Sequence, residues 1–153
     1  MDFPHQFYII LQILCAFFLG GFIGFEREKH RIGAGIRTYA AVCMGAAMFT
    51  IVGNNLMDMQ GASRMVANVI TGVGFLGAGL IFKDDEKQRA VGLTTAATIW
   101  ATAAVGVAVG YHLYAIAVIS SIALYFLLAL DEYQWYKRWR KSIRVRKEDD
   151  EVD

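Results

Sequence analysis

Apolar residues run along this chain in long blocks, and charged residues fall almost wholly between the blocks. The first block goes from Phe7 to Phe25 without a charge, the second from about Thr38 to Gly53, and the third from about Met65 to Phe82. The last is an uncharged stretch of 41 residues from Ala90 to Leu130. A bilayer core of about 30 Å needs about 20 helical residues at about 1.5 Å each. As one helix the last stretch would be about 60 Å long, twice that thickness. It is therefore expected to fold as a hairpin that turns at Gly110-Tyr111-His112, where a glycine can end a helix. The pattern predicts an all-α polytopic membrane protein of five transmembrane helices, at about 7–25, 37–54, 64–82, 92–110 and 112–130. A buried water-soluble bundle is the alternative, and it is set aside because each soluble helix needs a polar face. The first block is read as a mature span rather than a signal peptide. Asp2 and His5 precede it without a Lys or Arg, and no small-x-small cleavage site closes it.

Composition points the same way: 56% of the 153 residues are apolar and 19% charged, against about 45–50% and about 25% in an ordinary soluble domain. Cys15 and Cys43 lie inside apolar blocks and suggest neither a zinc cluster nor a disulfide scaffold. Of the 15 basic residues, all but Arg64 fall in the first connection, in the third connection or after Leu130. The positive-inside rule then puts the N-terminus outside and the C-terminus in the cytoplasm. The membrane domain is residues 1–130, and residues 131–153 form a cytoplasmic tail.

The helices carry few polar groups, each with more than one reading. Gly20 and Gly24 form a small-xxx-small pair that admits a second helix closely. Glu26 is either an interfacial charge paired with Arg27 or Arg37, or an ion or proton site. Arg37 either reaches lipid phosphates or pairs with Glu26 and locks the first two helices; the pair is preferred. Arg64, Asn68 and Thr71 share one stripe of the third helix, which is expected to face the bundle interior. Gly72, Gly74, Gly77 and Gly79 follow. They match neither a dinucleotide nor a Walker loop, and they suggest close helix packing or a locally broken helix around a cavity. Thr94, Thr98 and Thr102 make a hydroxyl stripe on the fourth helix, beside Thr95 and Trp100. The third and fourth helices are expected to pack polar stripe to polar stripe. The fifth is aliphatic and is expected to face lipid.

In the tail, Trp135, Trp139 and Ile143 alternate with Lys137, Arg138, Arg140, Lys141 and Arg144 as a basic amphipathic helix suited to an anionic leaflet. Nucleic acid is the competing partner and is set aside, because the tail is tethered to the last span. The acidic end, Glu148 to Asp153, is expected to be disordered. No nucleophile elbow, phosphate loop or metal-ligand cluster appears, and His5, His30 and His112 fall too far apart to form one site. No catalytic residue, cofactor or resident metal is expected.

Four blocks of sequence nonetheless resemble the membrane domain of the MgtC/SapB family: residues 21–28 (Gly-Phe-Ile-Gly-Phe-Glu-Arg-Glu), 35–38 (Gly-Ile-Arg-Thr), 72–81 (Gly-Val-Gly-Phe-Leu-Gly-Ala-Gly-Leu-Ile) and 92–100 (Gly-Leu-Thr-Thr-Ala-Ala-Thr-Ile-Trp). They stand in the family's order and spacing. The resemblance implies a five-span bacterial inner-membrane protein linked to magnesium limitation and, in pathogens, to virulence through survival in macrophages. It also implies a regulatory contact with the F-type ATP synthase. Its signature residues here are Glu26, Arg27, Arg37, Thr38, the four glycines 72–79, Thr94, Thr95 and Trp100. Many members add a soluble ACT-like domain after the last span. Only about 23 residues follow it here, so functions needing that domain are not expected of them.

Three functions remain open on this reading. The first is a non-enzymatic membrane regulator that packs against a partner complex or its own copy. The second is a small transporter or channel subunit for Mg²⁺ or H⁺. Its conduit would run along Arg64, Asn68, Thr71, Thr94 and Thr98, with Glu26 as a gate. The third is an assembly factor for other membrane proteins. The partners expected are membrane lipids and either a second copy or another membrane complex, not nucleic acid.

Overall fold

The computed structural model describes residues 3–30, 33–84, 89–130, 133, 136 and 138. Within them the chain is helical: α1 Phe3–His30, α2 Ile36–Leu56, α3 Met59–Gly79, α4 Leu93–Gly110 and α5 Tyr114–Ala129. Between α3 and α4 lies a small antiparallel hairpin, β1 Phe82–Asp84 with β2 Arg89–Val91, in the register Phe82 to Val91. A connecting loop was the sequence expectation there. Three-residue strands are too short to show an alternating pattern.

Three of the five helices are long and apolar enough to cross a membrane: Phe3–Lys29, Ile36–Leu56 and Leu93–Gly110. Helix α5 is apolar but has 16 residues, a length of about 24 Å. Helix α3 has 21 residues, about 31 Å, but polar groups interrupt it. Helix α1 overruns its apolar block and carries the chain through Glu26, Arg27 and Glu28 as continuous helix.

Helices α2 and α4 form the centre. Helix α1 packs along α2 and also meets α4 and α5, while α3 leans on α2 and α4. Glycine ridges allow the close crossings. A Cβ on Gly20 would come within 2.6 Å of the Tyr39 carbonyl oxygen, and one on Gly24 within 2.7 Å of the Ile36 Cα. On the other flank of α2, a Cβ on Gly106 would collide with the Cys43 carbonyl, and one on Gly110 would sit 2.6 Å from the Thr50 Cβ. So α2 is held between two pairs of glycines, each four residues apart, and Cys43, Ala47 and Tyr39 are fully buried there. Gly92, at φ +92°, starts α4 in the left-handed region, against the Leu80 carbonyl. A side chain there would be both strained and obstructed.

The glycines of α3 behave differently. The helix runs unbroken through them. Gly77 meets Ala96 of α4 at ordinary contact distance, but nothing lies within 4 Å of a Cβ placed on Gly72, Gly74 or Gly79. The expectation of close packing by all four is corrected to Gly77 alone. The buried face of α3 is Ala62, Val73 and Gly77, and the other glycines fall on turns rotated away from it.

Candidate functional site where α1, α2 and α4 cross

Buried polar side chains gather at one end of the bundle. Arg27, at the end of the apolar part of α1, is 7% exposed, and its Nη2 donates to Thr95 Oγ1 in the first turn of α4 at 2.5 Å. The Arg27 Nε is buried without a hydrogen-bond partner among the described residues. One residue back, Glu26 is 1% exposed, with Lys29 Nζ 3.6 Å from its Oε2. The Gly33 backbone, at φ +69°, passes beside Thr95: a Cβ there would lie 3.2 Å from Thr95 Oγ1. A glycine lets the chain turn back toward α2 at this point. Glu28 then caps α2, its Oε2 accepting from the Ile36 amide at 3.1 Å. Gly35, at the N-cap, offers no side chain for that role.

One turn further into the bundle, the Tyr39 hydroxyl meets Thr98 Oγ1 at 2.6 Å. Thr98 also reaches the Thr94 and Thr95 carbonyls, at 2.8 and 3.1 Å. A hydroxyl carries one proton. Thr98 gives it to its own backbone, so Tyr39 is the donor in the pair. Thr102 likewise donates to the Thr98 carbonyl at 2.7 Å. Thr95, Thr98 and Thr102 are all buried. The hydroxyl protons of Thr98 and Thr102 therefore end on carbonyls, while the oxygens of Thr95 and Thr98 bind α4 to α1 and α2. Chemically the arrangement is a clamp across three helices.

The remaining candidates lie elsewhere. Arg37 and Thr38 are exposed on α2. The Glu26–Arg37 pair preferred from sequence does not form among the described residues; Lys29 is a cation that lies at Glu26. Thr94 is exposed at the start of α4, and Trp100 is 50% exposed. Arg64, Asn68 and Thr71 do share a stripe, but it points out of the bundle, because α3 turns its Ala62–Val73–Gly77 face inward. That corrects the expected meeting of polar stripes between α3 and α4. Thr71 satisfies itself on the Ala67 carbonyl at 3.0 Å. The basic tail, with Trp135, Lys137, Trp139, Arg140, Lys141 and Arg144, lies outside the described residues; Arg138 is exposed.

Sequence reasoning missed two polar residues. Tyr39 stands in an apolar helix, and a buried phenol needs a hydrogen-bond partner; that requirement was the available signal. Gln12 lies in the middle of the first apolar block and is 3% exposed. Its Nε2 reaches the Val109 carbonyl at 3.0 Å and His112 Nδ1 at 3.2 Å, closing the α4–α5 turn from α1. A lone amide among apolar residues at membrane depth was the signal there.

The clamp joins the 21–28, 35–38 and 92–100 regions, which lie far apart in sequence. Comparisons with known proteins find relatives over most of this chain. The protein MgtC of Brucella abortus is 44% identical over 117 residues, covering 76% of this chain and 47% of that protein. The putative magnesium transporter YhiD of Escherichia coli K12 is 36% identical over 145 residues, covering 90% of this chain and 66% of that protein. The protein SrpB of Synechococcus elongatus is 37% identical over 139 residues, with 83% and 75% covered. This chain thus spans about half the length of the Brucella relative. No solved structure matches it. Residues 13–134 match the MgtC family as a whole, and the chain belongs to that family.

Proposed function

We propose that this chain is a multi-pass inner-membrane regulatory protein of the MgtC type, acting without catalysis in adaptation to magnesium limitation. In this reading all five helices cross the bilayer, with the N-terminus outside and the C-terminus in the cytoplasm. The one-sided basic residues support that orientation, and α3 is long enough to span at 21 residues. A YhiD relative bears the name of a putative magnesium transporter, which supports the link to magnesium and keeps transport as the competing function.

The observation that favours regulation is the clamp. A conduit needs polar groups of several helices facing one hydrated path. Here the hydroxyls of α4 are hydrogen-bonded to their own backbone, to Arg27 and to Tyr39. The polar stripe of α3 meanwhile faces away from them. The protein would then act through its packed helices on a partner complex, the F-type ATP synthase being the candidate that the family resemblance supplies.

Purified protein in liposomes is expected to pass neither Mg²⁺ nor H⁺ above empty vesicles. A flux abolished by Glu26→Gln would establish transport instead. A pull-down from magnesium-starved membranes is expected to retain a stoichiometric partner. For the topology, Met57→Cys should be labelled from the periplasm and Lys83→Cys only from the cytoplasm.

A further inference from the structure

Arg27 is a buried charge without a counter-charge. It is 7% exposed, and among the described residues no carboxylate forms an ion pair with it. The two carboxylates beside it in sequence are engaged elsewhere: Glu26 lies at Lys29, and Glu28 accepts from the Ile36 amide. A guanidinium carries several N–H donors and no acceptor. Nη2 gives one to Thr95 Oγ1, and the buried Nε finds no acceptor among the described residues. A threonine hydroxyl satisfies one donor and leaves the positive charge unbalanced, which is costly away from water.

The place of that charge in the fold gives it a meaning. Thr95 is the third residue of α4, so the guanidinium lies at the first turn of that helix. Among the described residues the first amide of α4 to find an acceptor is that of Ala96, bonded to the Gly92 carbonyl at 2.9 Å. The amides of Leu93, Thr94 and Thr95 stay open, and the N-cap, Gly92, has no side chain to cover them. Thr94 is exposed at the same turn. Open amides at a helix start carry partial positive charge and bind anions. Water alone would satisfy such a helix start, but it would not balance the cation beside it. The unbalanced guanidinium and the uncapped helix are independent features, and both favour negative charge at one spot.

The depth of the spot narrows the chemistry. The uncharged block of α1 ends at Phe25, two residues before Arg27. Phe25 and Leu93, next to the site in sequence, are both exposed. Apolar and charged surface therefore meet here, as they do at the phosphate level of a bilayer, where basic pockets between helices take lipid head groups. Arginine and backbone amides together suit the oxygens of a phosphate group.

We propose that Arg27 and the first turn of α4, Leu93 to Thr95, bind a phosphate group, with the Thr94 hydroxyl as a further donor. The phosphate comes from a lipid head group or from free phosphate in the aqueous phase. The site goes beyond the regulatory role and stands whether or not the chain acts on a partner complex.

Two measurements on the purified chain in detergent separate the sources. For free phosphate, inorganic phosphate should raise the melting temperature above that in sodium chloride of equal ionic strength. For a lipid, native mass spectrometry should show adducts of phosphatidylglycerol in preference to a diacyl glycolipid that lacks phosphate. In the arm that responds, Thr94→Val should weaken binding about tenfold, through loss of one hydrogen bond to a charged group. Arg27→Gln, which keeps a donor for Thr95 and removes the charge, should abolish it. If Arg27→Gln does not fold, Thr94→Val decides alone, since its side chain is exposed. A wild type that shows neither the melting shift nor the lipid preference, or a variant that binds as tightly as the wild type, would overturn the site.

Discussion

Two glycine-rich helix surfaces in this protein look alike in sequence and have opposite surroundings. The α1 and α4 glycines, at 20, 24, 106 and 110, touch the backbone or Cβ atoms of α2. For the α3 glycines at 72, 74 and 79, nothing among the described residues lies within 4 Å of an added Cβ. A glycine in a helix costs roughly 0.5–1 kcal/mol relative to alanine. In the α2 seam that cost is offset by the close crossing it permits. On α3 no such gain exists within one chain. The glycines of the seam are explained by the fold; the packing of the described residues does not explain those of α3 at 72, 74 and 79.

Substitutions at the two surfaces should therefore diverge. The largest effect is expected in the seam. Gly24→Leu and Gly106→Leu drive side-chain atoms into the backbone of α2 and should cost about 3 kcal/mol or more, read as a lost or strongly lowered melting transition in detergent. Wild-type melting of both would show that the seam is not a contact. Next is Thr95→Val, which removes the acceptor of a buried guanidinium. The penalty for such a stranded group is about 1–3 kcal/mol, and the shape-matched substitution isolates it from any loss of volume. Smaller is the Tyr39–Thr98 pair. A double-mutant cycle of Tyr39→Phe and Thr98→Val should give a coupling of about 0.6 kcal/mol, and no more than about 1.7. A coupling of zero would mean that the two hydroxyls are not bonded. Smallest is Gly74→Leu, which adds a side chain in open space. It should leave the melting temperature of the single chain unchanged or raise it slightly through helix propensity. Loss of the fold there would erase the contrast between the two surfaces.

How much of this was legible beforehand differs by element. The uncharged blocks announced helices because any polar backbone at that depth must satisfy itself; five spans were expected, and among the described residues five helices form, three of them long and apolar enough to cross a membrane. The small-xxx-small spacing singled out Gly20 and Gly24 as candidates for a close crossing. Gly106 and Gly110 have the same spacing but stood in a run of alanines and valines that offered many equivalent small faces. Arg27 was visible as a charge at the end of a span, yet its partner Thr95 is 68 residues away. Arg37 stands nearer than Thr95 to Glu26 and Arg27 in sequence and suggested a pair that does not form among the described residues, where Arg37 is exposed. For α3, periodicity located the Arg64–Asn68–Thr71 stripe correctly as one face and misjudged what lies opposite it. The rule that polar groups seek protein at membrane depth pointed inward a stripe that the fold leaves exposed.

Hydrophobic blocks alone located the five helices of the described residues, and the ordered motifs alone marked the family, because each depends on local composition. Which helix faces which was decided by tertiary packing. An α-helix presents several small faces of similar quality, and only the fit of a whole surface against its neighbours selects one. That fit buries Arg27 against Thr95, closes the α4–α5 turn with Gln12 and leaves Phe75 standing outward.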